Sequence, residues 1–251
     1  MPLFTDGTPA DIEYLRSYES SILDLAATEG IDLEAKLRLT ASELGDSVLR
    51  FLLTEGTRES QAQRRRLGMS GVVVTPAMRR WHAVRTLDAV YRDAYGSQLN
   101  ERYAKKLKEY AEATRKASEE YFQIGVGMVL RPIARPGRPV VVAGTSSDLT
   151  CYVQVTWVDD IGQESAPSEP ASFNAGAGST FDAGSPAENF VTGWNVYAGL
   201  TLEWVTLQTT APLPVGSLWT SPGTLLTGGR PVGGGQPPTY YVADNHSARR
   251  G

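Results

Sequence analysis

Arg131-Pro132-Ile133-Ala134-Arg135-Pro136-Gly137-Arg138-Pro139 is the stretch that divides this sequence. Its prolines restrict φ and remove amide donors, so neither a helix nor a central strand continues through it, and it reads as a stiff connector. Composition changes across it. Up to Gly137 there are 20 Lys+Arg, 19 Asp+Glu, 10 Gly and 5 Pro; from Arg138 onward there are 4, 9, 15 and 10. No lysine follows Lys116, and four of the five tryptophans (Trp157, Trp194, Trp204 and Trp219) lie beyond the connector. Dense, balanced charge suits the exposed faces of helices, whereas Gly, Pro, Thr, Val and aromatic residues suit strands joined by turns. The expectation is an α+β chain of two domains. An all-α helical bundle covers 1–137, an all-β sandwich covers 138–242, and 243–251 is a polar C-terminal tail.

Working upstream, about four helices are expected. Thr8-Pro9-Ala10-Asp11 offers a capping hydroxyl, a proline at the first helical position and an early acid. Ile12, Leu15, Ile22 and Ala26 share one helical face until Gly30. Asp32 can cap a second helix through Leu33, Leu37, Leu44, Val48 and Leu52 to Gly56. Arg64-Arg65-Arg66, Gly68 and Gly71 then suggest a long loop. Thr75-Pro76 repeats the capping chemistry for a helix through Trp81, Val84, Leu87 and Tyr91 toward Gly96. The longest helix is expected over about Leu99 to Ile124. There Tyr103, Leu107, Tyr110, Thr114, Ala117, Tyr121 and Ile124 form one narrow stripe between charged flanks. Such a stripe packs against another helix, either within the bundle or between subunits.

Downstream, Val140-Val141-Val142 and the alternating run Leu149 to Val158 read as strands, with Cys151, Val153, Val155 and Trp157 on the more apolar face. Asp159-Asp160-Ile161-Gly162-Gln163-Glu164 reads as a hairpin-like turn, and Pro167 and Pro170 bracket an edge segment. Gly193 to Gly199, Trp204 to Gln208 and Ser217 to Thr220 are further strands. Short strands punctuated by turns favour a sandwich.

The 251 residues, 41% hydrophobic and 21% charged, are those of a globular chain rather than a disordered one. No apolar run reaches the ~18 residues of a membrane span, and Met1 to Asp6 lacks the start of a secretory signal. A net charge of -4 argues against a general nucleic-acid binder. Catalytic constellations are missing. His82 and His246 are far apart in sequence, and no Cys/His spacing fits zinc. Cys151 falls on the buried parity of its strand. Asp159, Asp160 and Glu164 have the oxygen chemistry of a calcium loop but read better as a polar hairpin tip. Gly228 to Gly235 lacks the Lys-Ser/Thr ending of a phosphate loop and reads as a flexible turn. No enzyme, cofactor or metal is expected.

Two segments carry a resemblance. Tyr91 to Tyr103, running into the charged helix and Tyr121-Phe122-Gln123-Ile124-Gly125-Val126-Gly127, resembles helical proteins of tailed-phage structural modules. Gly162-Gln163-Glu164-Ser165-Ala166-Pro167-Ser168 after an alternating strand, then Gly193-Trp194-Asn195-Val196-Tyr197, is similar to fibronectin-type-III or immunoglobulin-like modules of virions. The family implied is the head–tail adaptor, or connector, of tailed bacteriophages, with an Ig-like C-terminal domain. That resemblance implies a virion protein of the phage neck, assembled in the host cytoplasm as a homo-oligomeric ring, a dodecamer. It would join the portal protein to tail or neck proteins, with double-stranded DNA passing non-specifically and no membrane involved. Candidate subunit or partner contacts are Arg64, Arg65, Arg66, Tyr103, Tyr110, Tyr121, Tyr240, Tyr241, Arg249 and Arg250. The alternative is a virion-surface module whose sandwich binds host carbohydrate through Trp194, Trp204 or Trp219.

Overall fold

The computed structural model describes residues 1–55, 68–98, 101–145, 149–174 and 177–243. The chain is α+β and groups into two compact units. One comprises Gly7–Leu130 with Pro238–Gly251, and the other Met1–Asp6 with Arg131–Pro237. Residues 1–6 and 131–137, placed with the helices on composition, thus group with the strands. The connector owes this to Ile133, which is fully buried in the strand-rich core and donates its N–H to Gln236 Oε1 at 2.8 Å.

Among the described residues the first unit has five helices: α1 (Ile12–Tyr18), α2 (Ile22–Glu29), α3 (Leu33–Glu55), α4 (Pro76–Gln98) and α5 (Ala104–Ile124). The first expected helix is two. Asp11, not Thr8, caps α1 by accepting the Tyr14 N–H at 2.8 Å. Ala10 is buried and donates its N–H to His82, which holds it outside the helix. Gly30 ends α2 in the left-handed conformation, and Asp32 Oδ1 accepts the Ala35 N–H at 3.0 Å to start α3. The α4 cap is the expected one, Thr75 Oγ1 accepting from Met78 N at 3.3 Å, but the helix runs through Gly96 to Gln98. Helix α5 begins at Ala104, after a 3-10 turn at Glu101–Tyr103 rather than at Leu99. Buried side chains occur all around α4, from Met78, Trp81 and His82 to Val90, Tyr91 and Ala94, as in a helix surrounded by others.

This unit also contains a small antiparallel sheet, so it is not all-helical. Strand β1 (Val126–Met128) pairs with β10 (Tyr240–Val242), Gly127 facing Tyr241. The end of the expected sandwich therefore pairs with the end of the helical segment.

The strand-rich unit has two sheets over one core. The larger has the order β4 (Ala171–Asn174), β3 (Thr150–Asp159), β6 (Val191–Gly199), β7 (Thr206–Leu207), with β8 (Leu213–Pro214) also on β6. The smaller has the order β2 (Val140–Val142), β5 (Thr180–Asp182), β9 (Trp219–Thr220). Strand alternation directs Cys151, Val153, Val155 and Trp157 of β3 inward, where β6 adds Trp194, Val196 and Ala198 in register. Phe173 meets Phe181 edge to face at 4.7 Å, and Phe181 meets Trp219 at 5.0 Å, so the aromatic contacts link the two sheets.

Candidate functional site

The opposite face of β3 and β6 carries a polar cluster centred on Glu164. Glu164 follows the hairpin turn, and its side chain lies over that face. Its Oε1 accepts hydrogen bonds from Thr156 Oγ1 at 2.9 Å, Tyr197 OH at 2.7 Å and Asn195 Nδ2. Its Oε2 pairs with the Arg230 guanidinium at 2.9 Å. Burial opposes the Glu164 charge, but the hydrogen bonds from Asn195, Tyr197, Arg230 and Thr156 outweigh it and hold the carboxyl below its ordinary range. Burial, reinforced by Glu164, pushes the Tyr197 phenol up.

Arg230 brings its own segment with it. The Leu207 N–H donates to Arg230 O at 2.9 Å, and Thr206 bridges to Pro231. A Cβ on Gly229 would stand 2.4 Å from Leu207 O, so only glycine permits this approach. The glycine-rich stretch, expected as a flexible turn, is a strap along β7 that covers a sheet edge.

The carboxylates of the hairpin do not converge. Asp159 Oδ1 accepts the N–H groups of Ile161 and Gln163, Asp160 pairs with Arg131 at 2.8 Å, and Glu164 belongs to the cluster above. Among the described residues no group of metal-ligand side chains is brought together.

A second feature of the same unit is apolar. A groove of about 440 Å³ is lined by Cys151 and Ala198 at its floor and by Leu149, Leu200, Trp204 and Leu226 at its rim. Trp204 is 75% exposed, while Trp194 and Trp219 are buried core residues. Burial pushes the Cys151 thiol up, so it stays protonated and acts as packing.

In the helical unit His82 occupies a wholly internal position. Its Nδ1 accepts the Ala10 N–H at 3.0 Å, and Nε2 lies 3.0 Å from Leu37 O and 3.1 Å from Thr40 Oγ1. These partners define one neutral tautomer, with the proton on Nε2. Burial lowers its pKa from 6.5 to about 4, the Leu37 hydrogen bond opposing only in part.

The expected contact residues separate into three groups. Tyr103, Tyr110 and Tyr121 are buried inside the helical unit, which corrects their reading as surface contacts. Tyr103 OH donates to Glu29 at 2.8 Å, and Tyr110 OH donates to Glu19 at 3.1 Å while its ring stacks on Tyr91 at 5.3 Å. Tyr121 packs on Trp81 at 5.3 Å, its buried hydroxyl without a hydrogen-bond partner among the described residues. The tyrosines of the stripe pack on Trp81 and Tyr91 of α4, while Ile124 at its end is exposed. Tyr240 and Tyr241 lie in β10, with Tyr241 half exposed. Arg64, Arg65, Arg66, Arg249 and Arg250 lie outside the described residues.

Glu164 and Arg230 were missed as a pair. Thr156, Asn195 and Tyr197 share the polar parity of their strands, which was a readable signal, but 66 residues of chain separate the two charges. Comparison with family models, curated proteins and solved structures gives no match for this chain.

Proposed function

We propose that this chain is a structural protein of a tailed-phage virion, a neck adaptor that forms a ring joining the portal to the tail and continuing the DNA channel. The observation that carries the reading is strand order. An immunoglobulin-like sandwich places C′, C, F and G in one sheet and B beside E in the other. The order β4-β3-β6-β7 with β2 beside β5 corresponds to C′-C-F-G over B-E, and β9 lies beside β5, where D lies in that fold. The Gly162 to Ser168 segment that carries the resemblance falls between β3 and β4, which stand for C and C′ in this reading. A helical unit joined to such a module is the organisation implied for the adaptor. Three buried titratable groups favour a structural role as well, each held by a partner from its own unit: Glu164 by Tyr197, His82 by Ala10 and Asp88 by Arg85. Native mass spectrometry of the full chain, alone and with the portal of the same phage, tests the reading. A ring, alone or only with the portal, supports it; a chain that ignores the portal and is missing from purified virions refutes it.

The exposure of Trp204 favours a second reading, a carbohydrate-binding module. Among the described residues, however, the groove beside it is lined by no carboxylate, amide or guanidinium side chain that would bond sugar hydroxyls. Glycan binding abolished by Trp204→Ala in a folded protein would favour this reading over the adaptor.

A further inference from the structure

We propose that the Trp204 groove is a self-docking surface: two copies of the chain pair across a two-fold axis, each setting its indole into the other's groove. The patch carries both halves of such a contact. Trp204 projects from the 3-10 turn Leu202–Trp204 as a knob, and the hollow beside it, about 440 Å³, has room for an indole. A two-fold axis through a patch brings each feature of one copy onto the complementary feature of the other.

Charge also points to a second copy. A two-fold contact sets like residues close together, so a charged patch would repel itself. Among the described residues the lining has only aliphatic, aromatic, glycine, threonine and cysteine side chains, and its threonine hydroxyls are uncharged. Thr206 Oγ1 already donates to Leu226 O at 2.6 Å, which rigidifies the wall. Among the described lining residues a charged partner finds no side chain to pair with, and the exposed Glu203 of the Leu202–Trp204 turn is a charge that a two-fold contact must leave at its solvated rim.

The area supports a weak contact. Trp204, Leu149, Leu200 and Leu226 are 75%, 59%, 59% and 54% exposed. With ~60–120 Å² of apolar surface per leucine and ~150–250 Å² per tryptophan, they present roughly 300 Å² per copy, a size at which a patch is often functional. Pairing would cover roughly 600 Å² of apolar surface and, with a polar rim, about 1,000 Å² in all, the lower limit of specific interfaces. A dissociation constant of about 10–100 µM is expected for so small a contact.

Sedimentation equilibrium of the full chain from about 1 µM to about 1 mM reads this directly. The mass should rise from one chain to two. Trp204→Glu should weaken pairing at least about 30-fold, as for an anchor tryptophan. Leu226→Glu should do the same from the groove side. Ile161→Glu, at an exposed apolar residue of the hairpin tip, should leave pairing unchanged. Near-ultraviolet circular dichroism confirms that each variant is folded. A monomer throughout, or a dimer that survives both groove substitutions, overturns the proposal. A larger ring that survives both also overturns it while leaving the adaptor reading intact. A dimer abolished by both, with no ring in any mixture, supports this contact and counts against the ring.

Discussion

Acidification should destabilise the helical unit through a single buried imidazole. His82 accepts a hydrogen bond at Nδ1 from Ala10 and faces Leu37 O and Thr40 Oγ1 at Nε2. Protonation puts a second donor at Nδ1, opposite the Ala10 N–H, and places a charge among buried groups. The folded pKa of about 4 lies below the ordinary 6.5, so between those values the unfolded chain binds more protons than the folded one. The associated stability is complete above about pH 6.5 and is lost as pH falls toward 4. The gap corresponds to about 3 kcal/mol in full, of which ~2–3 kcal/mol should be lost between about pH 7 and pH 4.5. Urea unfolding followed by the helical far-ultraviolet signal measures it. His82→Gln, compared with the unsubstituted chain at both pH values, separates this effect from that of the carboxylates. The unsubstituted chain should lose ~2–3 kcal/mol more than the variant on acidification. Equal losses would refute the reasoning, as would an imidazole NMR titration of His82 with a midpoint near 6.5. The chain has only two histidines, so His246→Gln suffices to assign that titration.

Other consequences are open to measurement. Tyr121→Phe removes a buried hydroxyl that has no partner among the described residues, so it should leave stability unchanged or raise it by up to ~1 kcal/mol in urea unfolding. Glu164→Gln should cost ~1–3 kcal/mol at neutral pH by weakening the bonds from Tyr197, Asn195 and Arg230. Because the Glu164 pKa is lowered, its contribution is present above the ordinary carboxyl range and disappears as pH falls through the folded value, so the unsubstituted chain and the variant should converge in acid. Gly229→Val should push the strap away from Leu207 and accelerate amide exchange at Leu207, whose N–H bonds to Arg230 O; unchanged exchange there would count against the strap.

Most secondary structure was legible because local chemistry specifies it. Asp32 and Thr75 cap the helices that follow them, and Gly30 ends α2. The alternation from Cys151 to Trp157 placed β3 and its buried face correctly. The exceptions have tertiary causes. The gap between α1 and α2 holds Glu19, which accepts from Tyr110 OH and pairs with Lys106 at 2.9 Å, so the break answers to residues of a distant helix. Strand β5, too short to alternate visibly, exists because β2 and β9 flank it. The tyrosine stripe was recognised as a packing surface, but the sequence leaves its partner open, and α4 proves to be that partner.

What the sequence by itself determined is therefore the helical character of the first part, the strand character of the second and the inward parity of the long strand, because capping, propensity and periodicity act over a few residues. The tertiary structure alone decided that Ile133 belongs to the strand-rich core, that β10 pairs with β1, and that Arg230 meets Glu164 while Trp204 stays exposed beside an apolar groove. Each of those outcomes joins residues far apart in the chain or chooses between burial and exposure for the same side chain. Such choices depend on which surfaces fold together, and no local pattern contains them.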